Sequence, residues 1–343
     1  MYTREIQPPR PSPLENGLPI AGTWTEAFTD VNLLDIRQPY PRWLLDYRIK
    51  EWESFTVNDE QFYIDITLSN VKLYRAVHIF LYNKESKEHT WFRKTFPLSN
   101  WYTPRNLINS TMIEHDYGLF LRVHNWLDVG IIKIDINLEE RRKYPAFTLH
   151  LEYEIKNLSP LIVNLLFSER RSLYSYKVCA PVRGDIVIGR QHRVFNPATT
   201  AGMVRDCKGC YPYRMRSTWC SAVAYDSHNR LYGFNITENQ AKETYKNNEN
   251  GLWIAGKLTP LPPVHITMPN GVNEDWVIQD MEGMVDLVFS PQVPVHKRFD
   301  CIIVHSEYNA CLGFYKGTLV DAEGNRILLH NAFGLGKKLY LRL

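Results

Sequence analysis

Gln61-Phe62-Tyr63-Ile64-Asp65-Ile66-Thr67-Leu68 places Phe62, Ile64, Ile66 and Leu68 on one side of an extended chain and Gln61, Asp65 and Thr67 on the other. A period of two is the mark of a pleated strand with one buried face. The same reading extends to Val71 through Tyr82, Gly118 through His124, Ile131 through Leu138 and Phe147 through Ile155. A second series begins near Leu173 and continues through 185–190, 218–225, 231–236, 264–268, 276–279, 284–289, 301–306 and 314–320, with a last strand over 337–343. Turn residues such as Asp226-Ser227-His228-Asn229 and Glu323-Gly324-Asn325 fall where hairpins would close. Helical signals are few. Short turns are expected at Asn100-Trp101-Tyr102-Thr103-Pro104 and Pro197-Ala198-Thr199-Thr200-Ala201-Gly202.

The expected fold is therefore all-β, in barrels or strongly curved antiparallel sheets, which hide strand edges. Pro8, Pro9, Pro11, Pro13 and Pro19 make 1–22 an extended arm. The body is expected to divide near Asn157-Leu158-Ser159-Pro160 into a first half, 23–165, and a second half, 166–343. No repeat with a fixed period of 20–50 residues stands out.

With 44% hydrophobic and 22% charged residues among 343, the chain has ample material for a core. A formal net charge of +3 gives no reason to expect a nucleic-acid partner, and the basic runs stay as short as Arg141-Arg142-Lys143. No stretch approaches the ~20 apolar residues of a membrane helix, and no signal-type leader opens the chain, so a soluble, cytoplasmic protein without membrane insertion is expected. Nothing in the sequence sets an oligomeric state. Cys207 and Cys210 form a C-x-x-C without the second close pair that a structural zinc site needs, so no metal is expected. P-loop, dinucleotide-fingerprint, G-x-S-x-G and H-E-x-x-H motifs are missing, which leaves a cofactor-free mechanism.

Chemistry concentrates in Arg205-Asp206-Cys207-Lys208-Gly209-Cys210-Tyr211-Pro212-Tyr213-Arg214 and Asn247-Asn248-Glu249-Asn250-Gly251-Leu252-Trp253. Polar groups crowded among rings suit a small-molecule pocket. Asp206 and Glu249 are the candidate acid–base pair, expected to face one ring-walled hollow, because a carboxyl buried among rings has a raised pKa. The bland reading pairs Asp206 with Arg214 or Arg216 to anchor a loop. Lys177, Tyr211, Tyr213, Arg214, Trp219, Asn235, Asn250 and Trp253 are the candidate substrate-binding residues. His192 is a weaker candidate base, and His296, His305 and His330 show no ligand spacing.

Several of these motifs resemble the family of domain of unknown function 2804. The resemblance rests on Tyr176-Lys177, Pro181 and Gly184, on Asp206, Gly209, Tyr211-Pro212-Tyr213-Arg214 and Trp219, on Gly233-Phe234-Asn235, and on Glu249-Asn250, Trp253 and Gly256. It extends to Gly22-Thr23-Trp24, Lys50-Glu51-Trp52-Glu53, Asp286-Leu287, Phe289, Pro291, Gly313-Phe314 and Gly317, so it covers nearly the whole chain. It implies two lipocalin-like (calycin-type) barrels packed together. It also implies a distant likeness to carotenoid 1,2-hydratase and tocopherol cyclase, in which an acid in an aromatic cavity protonates the substrate. Acidic residues that the resemblance implies near Ala255 and Gly336 are not present here.

Three functions fit these residues. A hydratase-, lyase-, isomerase- or cyclase-type acid–base enzyme would act on a small organic ligand, isoprenoid-like by the fold kinship. A lipocalin-like binding protein would need the aromatic wall alone. A glycoside hydrolase would set Asp206 and Glu249 on either side of a sugar linkage.

Overall fold

The computed structural model describes residues 2–72, 74–96, 103–116, 118–140, 145–300 and 305–342, with the backbone alone at 295–300 and 305–306. Strand accounts for 61% of the chain and helix for 3%, which makes the protein all-β with very few helices. The proline-rich arm carries a two-residue ladder, β1 (Leu14–Glu15) with β2 (Leu18–Pro19). It leads into β3 (Gly22–Trp24), a 3-10 turn at Leu33–Asp35 and the one described α-helix, α1 (Arg42–Arg48).

The first sheet follows: β4 (Ile49–Asn58), β5 (Phe62–Asn70), β6 (Arg75–Asn83), β7 (His89–Phe96), β8 (Ser110–Asp116), β9 (Leu119–Trp126), β10 (Ile131–Leu138) and β11 (Phe147–Glu154). β12 (Leu161–Ser168), β13 (Arg171–Ile188), β14 (Gln191–Phe195) and β15 (Ala201–Cys210) complete it together with β3. Its main path runs β7-β6-β5-β4-β15-β13-β11-β10-β9-β8. The two outer strands come together: Lys94 of β7 lies 2.6 Å from Asp116 of β8, and Phe92 and Met112 share one core. The sheet is thus curled onto itself, with alternate side chains turned inward as the reading of 61–68 requires.

The second sheet holds β16 (Arg214–Tyr225), β17 (Leu231–Asn239), β18 (Gly251–Ile254), β19 (Lys257–Pro260), β20 (Val264–Thr267), β21 (Trp276–Asp280), β22 (Val285–Asp300), β23 (His305–Val320) and β24 (Arg326–Arg342). It curls as well, since Glu238 of β17 accepts from the backbone N–H of Ile266 on β20 at 3.1 Å. The change of sheet falls at Tyr211-Pro212-Tyr213 and not near 165, because β12–β15 pair back onto the first sheet. The turn expected at 100–104 lies outside the described residues as far as Tyr102, as do Arg141-Arg142-Lys143 and Cys301.

β4, β13 and β15 form a wall common to both halves. Phe55, Tyr174, Tyr176, Val178 and Val204 enter the core of the first sheet. Leu173, Cys179, Met203 and Cys207, on the opposite face, pack with Val223, Leu231 and Trp253 of the second half. All ten residues of β15 are buried. Close approach across this wall needs Gly233, where a Cβ would sit 2.5 Å from Cys179 Sγ. Among the described residues, no helix is long and apolar enough to cross a membrane.

Candidate functional site

Alternation along β15 decides the chemistry, because Arg205 and Asp206 must point to opposite faces. Asp206 turns into the first sheet. It is directly opposite Glu53 of β4 and Tyr176 of β13. Side chains so placed have Cβ atoms roughly 4.5–5.5 Å apart. Glu53 is 0% exposed and Asp206 1%. Tyr174, Tyr176, Lys208 and Asn125 surround the pair, and Trp24 and Phe28 extend the ring wall, with centroids 5.0 Å apart and Phe28 5.8 Å from Tyr174. The Lys208 ammonium donates to the carbonyl of Pro104.

Among the described residues neither carboxyl forms an ion pair within 4 Å, and Asp206 Oδ1 has no hydrogen-bond partner, while the side-chain amide of Asn125 is the group that hydrogen-bonds toward Glu53. Burial raises the pKa of Glu53, the neighbouring Asp206 raises it further, and a side-chain hydrogen bond with Asn125 and the charge of Lys208 oppose the rise. Burial also raises Asp206, against the pull of Lys208 and with a smaller push from Glu51. Glu53 is raised the further. Two like charges side by side in an apolar interior cannot both persist, so the pair holds a proton at neutral pH.

The opposite face of the wall carries a connected polar network. The fully buried Arg205 guanidinium donates to Ser54, Thr56 and Ser221 and pairs with Asp65 at 3.0 Å. It lies 4.6 Å from the ring centroid of Trp219, and the Lys337 ammonium lies 5.0 Å from the same centroid. Trp219 Nε1 donates to Asn235 Oδ1 at 2.7 Å, and Asn235 Nδ2 donates to the Glu249 carbonyl at 2.7 Å. The Glu249 carboxylate accepts from Lys177, which also donates to Ser175. Buried pairs of this kind are held by hydrogen bonds as much as by charge.

The expectation that Asp206 and Glu249 share one hollow is therefore corrected. Asp206 faces the first interior, while Glu249 reaches Lys177 on the Arg205 face. Nor does Asp206 pair with Arg214 or Arg216, which lie exposed at the start of β16. Of the candidate binding residues, Lys177, Trp219 and Asn235 join Glu249 in the network. Asn250 bridges the Thr237 N–H and the Pro262 carbonyl. Trp253 is a core residue whose indole N–H donates to the Ser159 carbonyl. Tyr211 stacks on Trp52 at 5.6 Å, and Tyr213 is exposed. His192 is exposed beside Asp185, and His330 is exposed; the His296 and His305 side chains lie outside the described residues. Cys207 and Cys210 enter different clusters on opposite faces of β15. No group of three or more His, Cys, Asp or Glu among the described residues is placed to hold a metal.

Sequence reasoning missed Glu53, Asn125 and Tyr174. The signal for Glu53 was present in Lys50-Glu51-Trp52-Glu53, where acids recur at alternate positions of what proves to be a strand buried on both faces.

Two curled antiparallel sheets sharing a buried wall define an all-β protein of the double-barrel kind. The chain belongs to the family described as domain of unknown function (DUF2804), whose model matches residues 3–342. The crystal structure of CghA superposes with a TM-score of 0.50 at 9% identity, covering 86% of this chain and 88% of that one, a likeness of fold. Kievitone hydratase from Nectria haematococca superposes with a TM-score of 0.46 at 11% identity, covering 85% and 88%. No curated protein matches.

Proposed function

We propose that this protein is a cofactor-independent acid–base enzyme of the hydratase or lyase type, acting on a small organic ligand inside the first sheet. The observation that supports it is the Glu53–Asp206 pair: two carboxyls directly opposite, fully buried, without ion pairs among the described residues, and among rings. Glu53, the more strongly raised, is the proton donor, and Asp206 is the acceptor. In a dehydration, Glu53 protonates a hydroxyl as its C–O bond breaks and water leaves. Asp206 removes a proton from the adjacent carbon, whose C–H electrons become the new C=C bond. Hydration is the same step reversed. Transfer of the proton from Asp206 to Glu53 across the pair then resets the site.

Glu249 and its network take a structural role in this reading, joining the two sheets. A sugar linkage cleaved between Asp206 and Glu249 finds no support, since the two carboxyls are on different faces of the wall. The five described cysteines are free and buried, which agrees with a reducing, cytoplasmic setting.

The test begins with protein purified from its own host, denatured, and its released small molecules identified by mass spectrometry. With that ligand in deuterated water, wild type should exchange or add deuterium at one carbon. Glu53→Gln and Asp206→Asn should each slow this by 100-fold or more, on the order of general acid–base contributions. Undiminished turnover in both variants would remove the pair from the mechanism.

A further inference from the structure

We infer that the end of the first sheet remote from Glu53 and Asp206 holds a second small-molecule site, one for a medium-chain monocarboxylate. A cavity of about 290 Å³ opens there, where β4 turns into β5 and β13 turns into β14. Phe62, Ile186 and Ile188 form its apolar wall, and Gln61, Gln191 and Arg193 its polar one. Tyr176, opposite Asp206, and Ile186 are ten residues apart on β13, on the order of 30 Å of extended chain, so the two places are separate.

Strand register builds the wall. Ile186 pairs with Arg193 and Ile188 with Gln191, and residues two apart on a strand face the same side. Two aliphatic side chains therefore stand beside a guanidinium and an amide, and the buried Phe62 adds a ring. His192, between Gln191 and Arg193, turns its ring to Asp185 at 3.2 Å on the other face.

Asp59 fixes the guanidinium. Arg193 Nε and Nη2 each lie 3.0 Å from Asp59 Oδ2, and Asp59 Oδ1 accepts from the N–H groups of Gln61 and Phe62. That carboxylate is fully engaged, whereas Arg193 Nη1 makes no hydrogen bond among the described residues. The Arg193 side chain is 38% exposed, so a ligand can reach this free edge. A carboxylate oxygen is among the strongest acceptors for a guanidinium, and its second oxygen can take an N–H of Gln191.

Charge agrees with an anion. The Lys84 ammonium also stands at this turn, donating to the Asp59 carbonyl and to Asn58 Oδ1 at 2.6 Å. Burial lowers its pKa to about 8, still above neutrality, so two cations surround one buried acid at pH 7. Glu60, Glu85 and Arg190 lie exposed around the rim, where solvent and salt screen them. An amine would be repelled by Arg193, and an uncharged head would forgo the charge-assisted bond. At the roughly 30 Å³ that a water occupies in the liquid, the cavity takes about ten non-hydrogen atoms, the size of octanoate.

The test titrates the full chain with octanoate, 1-octanol and octylamine at pH 7, followed by ligand-observed NMR. Octanoate should bind at least tenfold more tightly than either of the others. Ile188→Trp, which fills the cavity, should abolish saturable binding, and the milder Gln191→Leu should weaken it severalfold. Arg193→Met/Asp59→Asn removes both charges together and should erase the preference for octanoate over octanol. Circular dichroism establishes that each variant is folded. Glu53→Gln and Asp206→Asn should bind octanoate as wild type does, which separates this site from the carboxyl pair. Equal or tighter binding of octanol or octylamine would overturn the inference, as would no saturable octanoate binding up to about 10 mM. Octanoate binding that a folded Ile188→Trp and a folded Arg193→Met/Asp59→Asn both leave unchanged would do the same, and so would its loss in Glu53→Gln.

Discussion

Glu53 is buried where no solvent can spread its charge, and the consequence can be measured as stability. A raised native pKa means that folding favours the protonated carboxyl. Its contribution is whole below the unfolded value of about 4.3 and is lost as the pH climbs through the raised native value. Glu53→Gln removes that loss. Chemical denaturation should find this variant more stable than wild type at pH 8, by on the order of 1–4 kcal/mol, with the difference vanishing near pH 4. Equal pH dependence in both proteins would mean that Glu53 is not shifted. Lys177 gives the opposite case. Lys177→Met leaves the Glu249 carboxylate buried without its cation and should cost about 3–5 kcal/mol, most of it recovered in the Lys177→Met/Glu249→Leu double variant. What the sequence conveyed at this scale was that acids and rings would be buried together. Which acids meet was hidden, because 205 and 206 differ by one position and one position turns a side chain to the other face.

Strands told different amounts about themselves. β5 was read almost to its ends, since one face enters a core and the other does not, so its residues alternate. β4 and β15 escaped the same reading: they are covered on both faces, and polar groups serve both. Asp206, which the alternative reading used to anchor a loop, lies inside a continuous strand. The price of a two-sided wall is tight spacing. Gly233→Ala should destabilise by about 1–3 kcal/mol through overpacking against Cys179. Adding Cys179→Ala should restore much of that loss in a thermal melt, and a lack of coupling between the two sites would contradict the contact.

At the level of the whole chain, the arm and the wall act together. Arg4 donates to the carbonyls of Asn248, Asn250 and Leu261, so the N-terminal segment fastens the loop that carries Glu249. Arg4→Met should lower stability by about 2–3 kcal/mol, as hydrogen bonds from a buried cation are among the stronger ones. With arm, wall and network crossing between the halves, both sheets should unfold in one transition, so that tryptophan fluorescence and far-ultraviolet dichroism give coincident curves. Two separated transitions would show the halves to be independent. The division expected near 165 went astray for a related reason. Proline and turn residues at 157–160 mark a bend in the chain, but sheet membership depends on pairings with strands far away in sequence, and these leave no local trace.

One residue dropped between Ala201 and Arg205 would do more than shorten β15. Every side chain beyond the gap would trade sides: Arg205 would be pushed among the carboxyls and Asp206 into the cation-rich seam. Both compartments are written in a single frame on the same strand, so the spacing of this segment should tolerate substitutions far more readily than insertions or deletions.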